Sequence, residues 1–260
     1  MKTAQLFYRG KREGNKSKYY LHNIVLGILG KTGGIPWVIK EMPGNVDCFV
    51  GLDVATLEKG IHYPACSVVF DKSGRLLGFY KPKSAQRGEK IETRILQDIF
   101  DQVLLSYEEK FGERPKNIMI HRDGFNNEND AWYEKYFGAK GIAYTIVEVR
   151  KNISSKLAII EDGVIKNPEM GYCIYNNNKG YLVTTNMKNK KGSPNPLLLE
   201  KKCGDAPMTI VLKQVLYLSQ LHVGSTQKMR LPITTGYADK ICKNREFVPE
   251  GKMDNRLFFL

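Results

Sequence analysis

The apolar residues of this chain recur with spacings that alternate between those of strands and those of helices. Nearly continuous apolar stretches predict strands at residues 46–54, 65–70, 76–80, 117–121 and 142–149. Apolar positions three and four residues apart predict helices at residues 18–30, 90–111, 129–137 and 207–222, and a short last helix after Leu231-Pro232.

In chain order, this pattern gives three strands, then helix, strand, helix and strand, then a hairpin at 171–186 and further helices. The sequence Asp71-Lys72-Ser73-Gly74 is typical of the turn between the second strand and the third. We therefore predict an α/β fold in which a central mixed β-sheet is flanked by helices.

The charge balance favours a polyanionic partner. The 260 residues include 40 Lys and Arg against 27 Asp and Glu, a formal net charge of +13. Nucleic acid is the favoured partner, because neutralised phosphates release counterions, and an acidic membrane surface is the alternative. No apolar run approaches the roughly 20 residues that cross a bilayer, and residues 1–16 lack the apolar stretch of a secretory signal. We therefore predict a cytoplasmic protein that does not bind membranes.

The cysteines do not have the spacing of a structural zinc site. Such a site needs closely spaced pairs of thiols or imidazoles, and we expect buried thiols in a reducing compartment instead. The five cysteines are Cys48, Cys66, Cys173, Cys203 and Cys242.

Two aspartates occupy strand positions where a carboxylate needs an explanation. Asp53 interrupts the apolar sequence FVGLDVA, and Asp123 closes the strand of IMIHRDG. Burying a carboxylate is costly unless a partner or a metal compensates its charge, although Asp-Gly is also a common turn and leaves a structural role open for Asp123. Aspartates from neighbouring strands could hold two Mg²⁺ or Mn²⁺ ions. Such a pair, about 3.5–4 Å apart, activates a water and stabilises the leaving oxygen of a phosphodiester.

Several motifs, in order along nearly the whole chain, resemble the PIWI domain of prokaryotic Argonaute proteins. The helix, Gly-Gly turn and strand around the family's first catalytic aspartate are matched by KYYLHNIVLGILGKTGGIPW and FVGLDVA. The strand with the second catalytic aspartate is matched by IMIHRDG, the following basic segment by VEVRKNISSKL, and the late helix by LPITTGYADKICKN. The resemblance implies an RNase H-like fold and a guide-directed endonuclease that cleaves the target strand with two metal ions.

Carried over by this resemblance, the catalytic acids are Asp53, Glu89, Asp123 and Asp239. The three aspartates would ligate the metals. Glu89, in the loop QRGEK, would be a glutamate finger that joins the site when a guide–target duplex is bound, and Gly88 beside it would give the loop mobility.

The residues alone leave other roles open for the two weaker candidates. Glu89 precedes a helix, where the helix dipole favours any carboxylate, and Glu92 competes with it for the assignment. Asp239 could simply pair with Lys243 one helical turn later.

Basic residues near these motifs are candidate contacts to the nucleic-acid backbone. They are Arg122, Arg150, Lys151, Lys156, Lys228 and Arg230. Arg122 could instead pair with a carboxylate, and the lysine-rich loop at 188–191 is a weaker candidate. By resemblance, the terminal carboxylate of Leu260 would help to form the pocket for the 5′ end of the guide, and a chain end buried for packing is the alternative.

The resemblance also implies partners, namely a short guide RNA or DNA, a complementary target strand, and the MID, PAZ and N domains of a longer polypeptide. We assign residues 1–45 to a lead-in segment from the MID side and residues 46–260 to the PIWI nuclease domain. Three alternatives stay open: an inert guide-binding Argonaute module, another RNase H-like nuclease such as a transposase or resolvase, and a basic nucleic-acid binder whose carboxylates only form ion pairs.

Overall fold

A computed structural model describes residues 15–58, 61–83, 86–186, 192–223 and 229–257. The helices are α1 (Asn15–Lys31), α2 (Thr93–Phe111), α3 (Asp130–Gly138), α4 (Met208–Leu218) and α5 (Ile233–Lys243), with a 3₁₀ turn at Arg245–Phe247. The strands are β1 (Cys48–Glu58), β2 (Ile61–Asp71), β3 (Leu76–Tyr80), β4 (Gln86–Arg87), β5 (Asn117–Asp123), β6 (Ala143–Arg150), β7 (Ile159–Glu161), β8 (Val164–Lys166), β9 (Cys173–Tyr175), β10 (Lys179–Leu182), β11 (Leu197–Cys203) and β12 (Met253–Asp254).

Within the described ranges, ten strands form one mixed sheet in the order β12-β3-β2-β1-β5-β6-β11-β10-β9, with β4 paired to β2. Strands β1, β5 and β6 are parallel, and β2 and β11 flank them in antiparallel orientation. Strands β7 and β8 form a separate hairpin. The predicted α/β fold with a central mixed sheet between helices is confirmed. None of the helices in the described part of the chain is long and apolar enough to span a membrane.

Alternate residues of β1 face two different layers of helices. Val50 and Leu52 pack with α2 and α3 in one hydrophobic core, whereas Phe49 packs with α4 and α5 in the other. Strand β5 follows the same alternation. Because side chains alternate along a strand, Asp53 and Asp123 fall on the face of the sheet that carries α5.

The fold differs from the sequence-based prediction mainly in its short strands. Strand β11 and the hairpin β7–β8 were not predicted. The sequence of β11, LLLEKKC, is apolar only in its first three residues before a charged stretch, and its conformation comes from pairing with β6 and β10. Helix α4 ends at Leu218, four residues before the predicted end at His222.

The thiol prediction is met in part. Cys48 is fully buried, and burial raises the pKa of its thiol. Cys242 is also buried, whereas Cys173 and Cys203 are partly exposed. The side chain of Cys66 lies outside the described residues.

Helix α5 approaches β1 closely at Gly51. A side-chain carbon at this position would clash with the backbone oxygen of Thr234, in the first turn of α5. The Thr234 hydroxyl in turn lies 2.9 Å from Nδ1 of His121, a fully buried residue of β5. The start of α5 is therefore fixed against the two strands that carry Asp53 and Asp123.

We expect Gly51→Ala to lower the free energy of unfolding by about 1–3 kcal/mol, because the added methyl group forces α5 away from β1. Gly138→Ala is the matched control, since a Cβ there would meet nothing within 4 Å. Urea denaturation measures both variants. If the two substitutions have the same effect, the close approach of α5 does not constrain the fold.

Candidate metal centre

Three of the four predicted acids converge where β1, β5 and α5 meet. One carboxylate oxygen from each of Asp53, Asp123 and Asp239 lies within 4.8 Å of the others. In the parallel pairing of β1 with β5, Leu52 is opposite Arg122. The residues that follow, Asp53 and Asp123, therefore come side by side at the same end of the sheet, and the second turn of α5 adds Asp239.

Glu89 lies apart from these three aspartates but lines the same cavity. It is exposed, and it follows Gly88, whose φ of 81° is in the left-handed region that favours glycine. The loop is held by its backbone, since the carbonyl of Glu89 accepts a hydrogen bond from Arg122 at 3.4 Å and Ile91 N–H donates to Glu128 at 3.2 Å. The side chain of Glu89 is therefore on a tethered loop beside the cluster.

The cluster opens into a cavity of about 740 Å³. Its wall combines acidic, basic and apolar side chains, a mixture that does not suit a purely apolar ligand. Besides the four acids, the lining residues are Val54, Arg122, Gly124, Phe125, Arg150, Lys151, Asn152, Ile153, Leu198, Cys242 and Lys243.

The environment moves the pKa values of the aspartates in different directions. Burial, and then the negative charge of Asp123, raise the pKa of Asp53 to about 6. Burial also raises the pKa of Asp123, although Lys151 opposes the shift. Burial acts on Asp239 as well, but hydrogen bonds from Lys243 and Lys151 outweigh it and lower the pKa of Asp239.

Lys151 bridges two members of the cluster. Its Nζ donates to Asp123 Oδ2 at 2.7 Å and to Asp239 Oδ1 at 3.0 Å. Burial works against its charge, but these hydrogen bonds and the two carboxylate charges raise the pKa of Lys151 to about 12. The second oxygen of Asp239 accepts from Lys243 at 2.6 Å. Both oxygens of Asp239 are therefore engaged by lysines.

The donor set fits a hard divalent cation. Carboxylate oxygens are the ligands that Mg²⁺ and Mn²⁺ prefer, and Mg²⁺ needs few protein ligands because it keeps several waters. A dication would also offset the repulsion between Asp53 and Asp123 that raises the pKa of Asp53. Asp53, Asp123 and Asp239 could hold such an ion.

Like Lys151, two more of the predicted nucleic-acid contacts are engaged by carboxylates. Arg122 is only 3% exposed, and its Nε lies 3.5 Å from the buried carboxylate of Glu128. These contacts show that Arg122 pairs with a carboxylate, which was the alternative role considered for it. Arg150 forms ion pairs with Glu148 and Glu200.

The remaining basic candidates lie in different surroundings. Lys156 is exposed and contacts the side chain of Asn195. Arg230 is partly buried and donates from Nη2 to the carbonyl of Lys151 at 2.7 Å, so that it supports the lysine of the cluster. Lys228, Leu260 and the loop at 188–191 lie outside the described residues. Nucleic-acid binding by all of these residues stays a prediction.

Three features of the site were missed in the sequence. The close contact at Gly51 depends on α5, which periodicity cannot place. Glu148 is 1% exposed inside the apolar strand β6, and a charged residue inside VEVR is the same signal that singled out Asp53. Phe125 follows the Asp-Gly turn directly, and nothing in the sequence shows that it lines the cavity.

The chain resembles known proteins over nearly all of its length. The Piwi domain family matches residues 2–247. The protein argonaute of Aquifex aeolicus is 27% identical over 248 residues, which cover 94% of this chain and 34% of that protein. The protein argonaute of Thermus thermophilus is 26% identical over 230 residues, which cover 88% of this chain and 33% of that protein. The chain therefore spans about a third of the length of these curated relatives.

A solved structure gives the same family at higher identity. The structure of Clostridium butyricum Argonaute bound to a guide DNA and a 19-mer target DNA has a TM-score of 0.93 and 55% sequence identity. The match covers 100% of this chain and 35% of that one.

Asp53→Asn should stabilise the metal-free protein at pH 8 by about 1–3 kcal/mol, because the pKa of Asp53 is raised and its charge is unfavourable in the folded state. The stability of the unsubstituted protein falls as the pH rises from the ordinary pKa of 3.8 through about 6. The difference should therefore disappear below about pH 4. Urea denaturation in a chelator at several pH values measures it.

In the same measurements, Mn²⁺ should stabilise the unsubstituted protein more than the Asn variant, because binding to the folded state alone raises stability. Equal stability of the two proteins at pH 8 in the chelator would contradict the repulsion inferred for Asp53.

Lys151→Met should destabilise the metal-free protein by about 1–3 kcal/mol, because it leaves the carboxylates of Asp123 and Asp239 without their shared cation. The variant should then gain more thermal stability from Mn²⁺ than the unsubstituted protein does. Lys243→Met is the matched control. The side chain of Lys243 is 70% exposed and forms a surface pair with Asp239, so its loss should cost at most about 1 kcal/mol. A smaller response of Lys151→Met to Mn²⁺ would rule out Lys151 as a substitute for the metal charge.

Proposed function

The chain belongs to the Piwi domain family, and on this premise we propose that it is the nuclease part of a prokaryotic Argonaute. It cuts one phosphodiester of a target strand that is paired to a short guide, with two divalent cations, Mg²⁺ or Mn²⁺, as cofactors. The observation that carries this proposal is the convergence of Asp53, Asp123 and Asp239 within 4.8 Å on the wall of an open cavity. Sequence alone did not require residues from two strands and a distant helix to meet.

The clustered aspartates, Glu89 and Lys151 have three different tasks in this proposal. Asp53, Asp123 and Asp239 hold the cations, which when bound supply activation of a water and stabilisation of the leaving oxygen. Glu89, on its tethered loop at the cavity, is the fourth carboxylate and approaches the cluster when the duplex is bound. Lys151 neutralises part of the charge of Asp123 and Asp239, since it opposes the raised pKa of Asp123 and helps to lower the pKa of Asp239.

Sequence selection comes from base pairing with the guide, while the protein contacts the backbone of the duplex and sets its register. The formal net charge of +13 favours this association with a polyanion. The relative from Clostridium butyricum is a complex with guide and target DNA, which supports the same class of ligand here. Whether the guide of this protein is DNA or RNA is left to experiment.

We further propose that the chain works within a longer polypeptide with N, PAZ and MID domains, in which residues 1–45 lead in from the MID side and residues 46–260 form the nuclease domain. The curated relatives, about three times as long as the matched segment, support this proposal. The cytoplasmic location stays a prediction from the sequence.

The test uses a polypeptide that contains this chain together with its guide-binding domains, loaded with a short guide. With Mn²⁺ or Mg²⁺ present it should cut a complementary single strand. Asp53→Ala and Asp123→Ala should each lower the cleavage rate by at least about 10³-fold, since each removes a metal ligand, and this loss corresponds to about 4 kcal/mol. Cleavage products resolved on a denaturing gel give the rate.

Asp205→Asn is the matched control, because Asp205 is exposed and absent from the lining of the acidic cavity. It should cut at the unsubstituted rate. Target binding should survive in the Asp53 and Asp123 variants and should weaken with salt. Undiminished cleavage in these variants would refute the catalytic assignment, and tight guide-dependent binding without any cleavage by the unsubstituted protein would identify an inert binding module.

A further inference from the structure

Phe125 is an apolar ring on the wall of the acidic cavity. It follows Asp123 and Gly124 directly, lines the cavity with them, and is 58% exposed. Single exposed apolar residues are common on protein surfaces, so exposure alone gives Phe125 no function. The contacts that hold Phe125 in place are the informative feature.

The backbone is anchored on both sides of Phe125. The N–H of Gly124 donates to the carbonyl of Val149 at 3.1 Å, and the N–H of Asn126 donates to Glu148 Oε1 at 2.8 Å. Glu148 is 1% exposed, so its carboxylate is fixed inside the sheet. The position of Phe125 is therefore set by strand β6.

One face of the Phe125 ring is backed by a guanidinium group. The Cζ atom of Arg150 lies 4.1 Å from the ring centroid. Arg150 donates to Glu148 from Nε at 2.9 Å and to Glu200 from Nη2 at 2.9 Å. A planar guanidinium that is held by two carboxylates forms a rigid layer behind the ring and cannot turn freely towards a phosphate.

We propose that Phe125 is a platform for the nucleoside next to the cleaved phosphodiester, and that Arg150 is a positioning residue that holds the ring. The proposal rests on the proposed function. The apolar surface that the ring meets is the face of the sugar, because a base that is paired to the guide is already stacked between its neighbours in the duplex. Contact between an aromatic ring and a sugar does not depend on the base, which suits a nuclease that takes its sequence choice from a guide.

The test measures target affinity in the presence of a chelator, so that it does not depend on cleavage. The guide-loaded polypeptide is given a short target strand that still spans the cleaved bond. The shorter duplex binds less tightly, so the loss of a single protein contact changes the measured affinity. Phe125→Ala should weaken binding by about 5- to 100-fold, and Phe125→Trp should keep most of the affinity. Phe247→Ala is the matched control, because Phe247 is 65% exposed and absent from the cavity lining.

Equal affinity of the Phe125→Ala and Phe247→Ala variants would overturn the platform, and so would a loss of the same size in Phe125→Trp. A target with an abasic site next to the cleaved bond keeps the sugar and lacks the base. The effect of Phe125→Ala should persist on this target, and its disappearance would overturn contact with the sugar. The proposed function, in contrast, fails only if cleavage itself is absent or is unaffected by loss of Asp53 or Asp123.

Arg150→Gln distinguishes a positioning residue from a phosphate contact. Glutamine can still donate to the glutamates but has no charge. If Arg150 positions the ring, Arg150→Gln should weaken binding but leave the dependence of log affinity on log salt unchanged. The double variant Phe125→Ala/Arg150→Gln should bind no more weakly than Phe125→Ala alone. A salt slope reduced by about 0.7–0.9 would show that Arg150 neutralises a phosphate and would overturn its role as a positioning residue.

Discussion

Three carboxylates whose oxygens lie within 4.8 Å of one another repel each other strongly in a partly buried site. The fold holds them there because tight packing surrounds them. Asp53 and Asp123 are fixed by the parallel register of β1 and β5, and Asp239 is fixed by the docking of α5 at Gly51. A glycine at this point is thus part of the site, although it has no functional group, because a larger residue would separate the third carboxylate from the other two.

The compensation for this repulsion is incomplete. Lys151 sits between Asp123 and Asp239 but donates to no oxygen of Asp53, and the pKa of Asp53 is raised to about 6 as a result of burial and of the charge of Asp123. A site that is electrostatically unfavourable without its ligand binds a dication more strongly, because binding relieves the repulsion. The cluster therefore lowers the stability of the metal-free protein, and a bound cation would raise it again. Functional sites often have such a cost in stability.

The sequence alone predicted the central strands and two of the three clustered acids, since an aspartate in or at the end of an apolar strand requires compensation. Asp239 and Glu89 could not be found in this way. Asp239 lies on a helix whose position depends on packing, and Glu89 is an exposed loop residue, so both rested on the resemblance to the Argonaute PIWI domain. Periodicity also missed β11, because a seven-residue strand of mixed composition becomes a strand only through its neighbours. The charge of a residue did not predict its exposure either, since Arg122 is buried.

The surroundings of the basic residues change how the positive charge of the chain is understood. Arg122, Arg150 and Lys151 were predicted to bind phosphates, yet each is engaged by one or more carboxylates. Near the metal centre these cations hold acidic groups and loops in place, so their charge is already largely compensated. In the proposed function, the attraction for a polyanion then comes mainly from basic residues farther from the cluster, and contacts close to the cleaved bond rely on hydrogen bonds and apolar surface. An aromatic ring with a rigid backing suits that position, because it adds affinity without adding charge beside carboxylates that would use theirs to hold a metal ion.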